Sequence, residues 1–155
     1  MSSDANAPDP QALESLAADL MARALKSGAD AAEAAIVESR SLELSVRDGE
    51  LEDIERSESR DAGIRVFCGK RQAGVTFSDL SEDGCSAAIE RAVAMAKAAP
   101  EDPYAGLADP DQMAKNPPVL ELYEANDWTP DALEKMAGAI ETSARAVPGV
   151  SMTES

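Results

Sequence analysis

The sequence predicts an α+β fold: an antiparallel β-meander of four to five strands, helices packed on one face, and a third helix towards the C-terminus. Two observations support this prediction. Apolar residues recur at helical spacing in three segments, whereas the roughly fifty residues after the first segment alternate with a period of two. Tight-turn signals separate the alternating stretches, so consecutive strands are expected to run antiparallel.

Three segments have the helical pattern, and they lie at residues 10–27, 81–99 and 130–147. The first and third begin with a capping side chain and a proline, Asp9–Pro10 and Thr129–Pro130, which favours a helix start. The second has a continuous apolar stripe, which is typical of a helix packed on a sheet. The predicted inner face of the third helix consists of Leu133, Met136, Ala137, Ile140, Ala144 and Val147.

The first strand pattern covers residues 34–46. It fits either one long bent strand or two strands with a break near residues 39–41. Asp48–Gly49 then forms a strong hairpin signal, because a tight turn needs positive φ and glycine adopts it freely. Further strands are predicted at residues 50–57, 63–68 and 73–77, each joined to the next by a short connection, in line with a meander.

The remaining segments lack either periodicity. Residues 1–9 are polar and contain proline, and we expect them to be disordered. Residues 100–127 form an irregular connection with five prolines. Residues 150–155 resemble the start of a strand without a partner, so we expect the chain to be part of a longer protein.

Charge and composition exclude several classes of function. The chain has 30 acidic and 14 basic residues and no His, for a net charge of −16. Without His, these residues cannot form a Ser/His/Asp or Cys/His nucleophile arrangement or a His-based zinc site. The negative charge opposes both nucleic acid and anionic membranes. We expect a cytoplasmic protein that binds neither nucleic acid nor membrane directly.

Two groups of charged residues have a functional and a structural interpretation. The acidic run at residues 48–58 could hold Ca²⁺ or Mg²⁺, but alternate strand residues face opposite ways and no EF-hand spacing is present. Lys70 and Arg71, with Arg65 nearby, could bind a phosphate or a carboxylate. We favour a solvated sheet face for the acids and a soluble hairpin tip for the bases.

Four large side chains in or beside the irregular connection are candidate partner contacts: Tyr104, Leu107, Tyr123 and Trp128. Aromatic residues on such a segment can anchor a binding partner. They can equally attach the connection to a core built from small residues. The sequence favours neither of these two alternatives. It indicates no catalytic, cofactor-binding or metal-binding residue.

Several stretches together resemble the amino-terminal region of the TldD/PmbA family, also called modulators of DNA gyrase or U62 peptidases. They are GADAAEAAIV at 28–37, LSVRDGELE at 44–52, GIRV at 63–66 and FSDLS at 77–81. Two later stretches, PYAGLAD at 103–109 and TPDA at 129–132, are more similar to the PmbA (TldE) branch. No single motif is highly specific, but their order and spacing agree along residues 12–155.

The resemblance implies a two-region cytoplasmic protein that pairs with a TldD-like subunit in a metallopeptidase acting on unfolded or extended peptides. In that family the zinc lies in a His-Glu-x-x-x-His helix of the TldD branch. This chain has no His, so no zinc ligand is transferred to it, and any zinc is expected in the partner. Residues 10–155 are then expected to form the amino-terminal domain of a PmbA/TldE-like protein.

The expected function is therefore that of a non-catalytic domain within a TldD/TldE metallopeptidase. The alternative is an acidic protein-interaction domain, acting for instance on gyrase, with no role in proteolysis. Activity of this chain alone is not expected, because it has no His and no zinc motif.

Overall fold

The computed structural model describes residues 9–116, 118, 120–122 and 128–155. In chain order, the elements are α1 (Pro10–Lys26), β1 (Ala31–Arg47), β2 (Glu50–Cys68), β3 (Arg71–Phe77), α2 (Glu82–Ala98) and α3 (Pro130–Arg145). The three predicted helices are confirmed, with ends displaced by one or two residues. Apart from Asp9, which caps α1, the residues predicted to be disordered lie outside the described part of the chain.

The sheet contradicts the predicted strand number. Within the described residues it has three strands in the order β1-β2-β3, not four to five. The strands predicted at 50–57 and 63–68 are a single strand of 19 residues, and β1 is also continuous, over 17 residues. The sequence did not indicate this continuous strand, because charged residues lie between the two predicted strands. They are tolerated because every residue from Glu50 to Arg60 is exposed, so that this part of β2 needs no apolar face.

Tight turns at residues 48–49 and 69–70 set the order of the strands. Asp48 and Gly49 both have positive φ, 54° and 83°, as a two-residue hairpin turn requires, and this confirms the predicted turn between β1 and β2. β2 and β3 pair antiparallel, with Ile64 opposite Val75 and Val66 opposite Ala73. The α+β class and the antiparallel meander are thereby confirmed.

The described chain divides into two compact units, and β1 and β2 contribute to both. The first unit combines the residues up to Glu38 with Ser59–Lys115, and the second combines Ser39–Glu58 with the residues from Asn116 onwards. None of the helices in the described residues is long and apolar enough to cross a membrane.

The core of the first unit lies between the sheet and the helices α1 and α2. Its fully buried side chains include Leu20 from α1, Ile64 and Val66 from β2, and Ile89 from α2. Small residues complete this core and let the helices approach the sheet closely: Ala24, Ala29, Ala62, Cys85, Ala88, Ala92 and Ala96. The predicted placement of both helices on one face of the sheet agrees with this core.

The second unit joins the β1–β2 turn to the C-terminal residues. Thr153–Ser155 pair antiparallel with the edge of β1: the Val46 and Ser155 backbones exchange two hydrogen bonds, and the Asp48 N–H donates to the Thr153 carbonyl. The interpretation of residues 150–155 as a strand without a partner is therefore wrong for the last three. The sequence could not show this pairing, because its partner lies more than one hundred residues earlier in the chain.

Candidate functional site

The candidate partner contacts do not all belong to one segment. Tyr104 and Leu107 lie in the first unit, where Tyr104 is 93% exposed and Leu107 is half exposed. Trp128 belongs to the second unit and is also half exposed, while Tyr123 lies outside the described residues. Because the side chain of Tyr104 is almost fully in water, it does not attach the connection to the core.

Hydrogen bonds with Lys70 hold the segment around Tyr104 in place. The Asp102 N–H donates to the Lys70 carbonyl at 2.7 Å, and the Lys70 ammonium donates to the Ala105 carbonyl at 3.2 Å. Ala105 is buried. The segment therefore presents Tyr104 and Leu107 from a fixed backbone.

The basic residues near this hairpin already have partners within the chain. Arg71 donates to the Lys97 carbonyl and to the carboxylate of Glu101. Arg65 forms an ion pair with Glu33 at 2.6 Å and lies over the Phe67 ring. These contacts favour the structural interpretation over a phosphate site.

The acidic run also lacks the arrangement of a metal site. Asp48 pairs with Arg145, and Glu52 pairs with Arg47. Within the part of the chain that the structure describes, no group of three or more Cys, Asp or Glu side chains is placed to hold a metal ion.

Helix α3 is rotated relative to the prediction. Ala137 and Glu141 are its buried residues, whereas Met136 and Ile140, which the sequence assigned to the inner face, are exposed. The predicted inner face is therefore wrong for these two side chains and for Val147, which is exposed as well. Met136 and Ile140 do have the spacing of a core stripe. A polar contact with the hairpin turn, however, sets the rotation of α3.

That polar contact involves Glu141, which is only 2% exposed. Its Oε2 accepts a hydrogen bond of 2.6 Å from the backbone N–H of Gly49, while its Oε1 is buried without a partner among the described residues. Arg145, one turn further along α3, pairs with Asp48 in the same turn. The Glu141 carboxylate gives the Gly49 N–H a hydrogen-bond partner, which an apolar residue at this position could not do.

The rotation leaves an apolar surface on α3 about a quarter of a turn away from its buried residues. Met136, Ile140 and Val147 are 45%, 57% and 56% exposed, and we name these three residues the apolar flank. At 100° per residue, Met136 and Ile140 fall on one side of α3, and Val147 follows two residues after the end of the helix. Val150 and Met152, which follow in the chain, are exposed as well. A row of large exposed apolar side chains is typical of a surface that another polypeptide covers.

Comparison with known proteins gives a consistent result. Residues 32–96 match the family described as PmbA/TldA metallopeptidase domain 1. The chain is 39% identical over 121 residues to the metalloprotease PmbA homolog of Haemophilus influenzae, and 31% identical over 126 residues to metalloprotease PmbA of Escherichia coli O157:H7. These alignments cover 78% and 81% of this chain but only 27% and 28% of the relatives, so the chain spans about a quarter of their length.

Two crystal structures share the fold. A candidate modulator of DNA gyrase from Bacteroides thetaiotaomicron superposes with a TM-score of 0.77 and 23% identity, over 97% of this chain and 32% of that one. TldE from Thermococcus kodakarensis superposes with a TM-score of 0.63 and 27% identity, over 84% of this chain and 29% of that one. The two structures share the fold, and the family match over residues 32–96 with the two sequence relatives identifies this region as the amino-terminal domain of the PmbA/TldD family.

Proposed function

We propose that this chain is the non-catalytic amino-terminal domain of a PmbA/TldE-like protein and that it takes part in assembly with a TldD-like metallopeptidase subunit. The similarity to PmbA proteins and to TldE supports the branch. The absence of His supports the non-catalytic role, because no His ligand for a peptidase zinc is available here. The zinc then belongs to the TldD-like partner, and the substrate is an extended or unfolded peptide in the cytoplasm.

The apolar flank of α3 is the observation that most directly supports an assembly role. Its three large apolar side chains are about half exposed. Burying them in an interface would contribute to the free energy of association at roughly 25 cal/mol per Å² of apolar surface. Charged residues, by contrast, cover most of the exposed hairpin in the second unit. An apolar patch within such surroundings suits the centre of a subunit interface, which is depleted in charge.

The test is co-purification of the full-length protein with a co-expressed TldD-like subunit. Ile140→Asp places a charge in the centre of the apolar flank and should abolish co-purification. Met95→Asp is the matched control, because Met95 is a similarly exposed apolar residue on α2, in the first unit. The circular dichroism spectra of both variants should match that of the unmodified protein.

Two results would contradict the proposal in different ways. If Ile140→Asp retains the partner as well as Met95→Asp does, the apolar flank is not the interface. If the unmodified full-length protein fails to co-purify at all, assembly with a TldD-like subunit is wrong, and the alternative function takes its place.

The alternative is an acidic protein-interaction domain that acts outside proteolysis, for instance on gyrase. The charge distribution supports it: residues 39–58 and 116–155 contain fourteen acidic and five basic residues, a net charge of −9. A gyrase supercoiling assay with the purified chain tests this alternative. Inhibition at micromolar concentration would support it, and unchanged supercoiling would remove it.

A further inference from the structure

The second unit contains a surface cavity of about 330 Å³ between the β1–β2 turn and α3. It is lined by Val46, Gly49, Leu51, Asp131, Glu134, Lys135 and Gly138. This volume is at the lower end of the range of small-ligand sites. We propose that the cavity binds an arginine side chain presented by an extended segment of another polypeptide.

The charges of the lining favour a cation. Asp131 and Glu134 are three residues apart on α3, so their carboxylates lie on neighbouring positions of one side of the helix. No basic residue of the described chain is within ion-pairing distance of either carboxylate, Lys135 included. The unit around them has a net charge of −9, which attracts a basic segment from a distance. A guanidinium can donate to two carboxylates at once, whereas an ammonium acts as a point charge.

The apolar part of the lining suits the stem of the same side chain. Val46 is buried and Leu51 is about half exposed, and both border the cavity. Arginine buries its methylene groups against apolar surface while its charged end binds polar groups. The cavity therefore offers a matching surface to each part of an arginine side chain.

Gly138 keeps this cavity open. Glycine inside a helix costs about 1 kcal/mol relative to alanine, yet a Cβ at Gly138 would meet no atom within 4 Å. Packing therefore does not require glycine at this position. Any side chain here would instead extend into space that borders the cavity.

A third carboxylate, that of Glu141, does not line the cavity but is hydrogen-bonded to a residue that does. Glu141 lies three residues beyond Gly138 on the same side of α3, and its Oε2 binds the N–H of Gly49, a lining residue. Its Oε1 has no partner among the described residues although the side chain is almost fully buried. Through this hydrogen bond, an acidic side chain holds one of the lining residues in place and adds to the acidic character of the unit around the cavity.

The cavity and the apolar flank lie on opposite sides of α3. Residues 131, 134, 135 and 138 differ from residues 136 and 140 by about half a turn at 100° per residue. A subunit bound to the apolar flank would therefore leave the cavity accessible, and the two proposals can fail independently.

The test is fluorescence anisotropy with the 155-residue chain and a labelled ten-residue peptide of Ser and Thr that has one central Arg. The twin peptide has citrulline, which has nearly the same shape without the charge. We expect the Arg peptide to bind about tenfold more tightly than its twin, as a charged hydrogen bond is typically worth at least that factor. Glu134→Gln should weaken Arg-peptide binding by a similar factor.

Two further variants separate the cavity from general charge and from folding. Glu90→Gln removes one exposed carboxylate from α2 and should change the affinity by less than about twofold, because Glu90 does not line the cavity and salt screens an exposed charge. Gly138→Leu fills the cavity and should abolish binding while leaving the melting temperature unchanged or higher.

Four results would overturn the proposal: equal binding of the two peptides, equal loss in Glu134→Gln and Glu90→Gln, normal binding by Gly138→Leu, or no binding of the Arg peptide at about 1 mM chain.

Discussion

Gly84→Ala should destabilise the protein, although alanine is the better helix former. Gly84 is the third residue of α2, and the N-cap residue Ser81 accepts a hydrogen bond from its N–H at 3.1 Å. A Cβ at this position would lie 2.4 Å from the carbonyl oxygen of Asp79 and 2.5 Å from its Cγ. The first of these atoms is backbone, so the segment before α2 must move by about 1 Å to restore ordinary contact.

The expected magnitude follows from three contributions. Replacing glycine in a helix contributes at most about 1 kcal/mol of stability. Displacing the segment costs about 1–3 kcal/mol for overpacking, and disturbing the Ser81 cap costs about 1 kcal/mol. The net loss is therefore about 2 kcal/mol, which lowers the melting temperature of a chain of this size by roughly 4–8 °C.

The assay is thermal unfolding followed by circular dichroism at pH 7, with Gly138→Ala as the matched control. Gly138 is also helical, but an added Cβ meets nothing there, so this variant should be stabilised by up to about 1 kcal/mol. The two substitutions are chemically identical and should have opposite signs. If Gly84→Ala is stabilised as much as Gly138→Ala, the argument from the Asp79 contact is wrong.

Three further predictions concern other contacts. Hydrogen bonds from the hydroxyl and then the backbone N–H of Ser81 hold the pKa of Asp79 below its usual range, so its stabilising contribution is present above about pH 4 and is lost as pH falls through the lowered pKa. The melting temperatures of wild type and Asp79→Asn should therefore differ at pH 7 and approach each other as the pH falls below about 4. A difference that stays constant with pH would contradict this. Ile89→Ala removes a fully buried core side chain and should cost about 2–5 kcal/mol in urea unfolding, whereas Val37→Ala on the exposed part of β1 should cost under about 1 kcal/mol. Arg145→Gln breaks a half-exposed ion pair with Asp48 and should change the unfolding free energy by under about 1 kcal/mol, while a loss above about 2 kcal/mol would show that the pair is more than a surface contact.

The parts of the fold that follow from local sequence were predictable. Helix α2 has an unbroken apolar stripe and a capping serine. All six residues of the stripe are buried: Cys85, Ala88, Ile89, Ala92, Val93 and Ala96. The turn at Asp48–Gly49 was also predictable, because its residue types match the positive φ that the backbone requires.

The contacts that depend on distant residues were not predictable. The sequence assigned Ile140 to the core because it fits the helical period, but the rotation of α3 depends on Glu141 meeting the N–H of Gly49, 92 residues earlier. The length of β2 was missed for a related reason. Alternation marks a strand only where one face is buried, and the outer part of β2 has no buried face. The cavity beside Gly138 requires the same long-range placement of the hairpin turn against α3.

The second unit is assembled from two stretches of chain separated by the whole of Ser59–Lys115. A two-stranded hairpin is marginally stable on its own in water, and closing so long a loop costs entropy that grows with the logarithm of its length. We therefore expect the hairpin and α3 to form as local structures first, with the pairing of Thr153–Ser155 to β1 completed late. No single cut in the chain would separate the two units, because β1 and β2 both continue from one into the other.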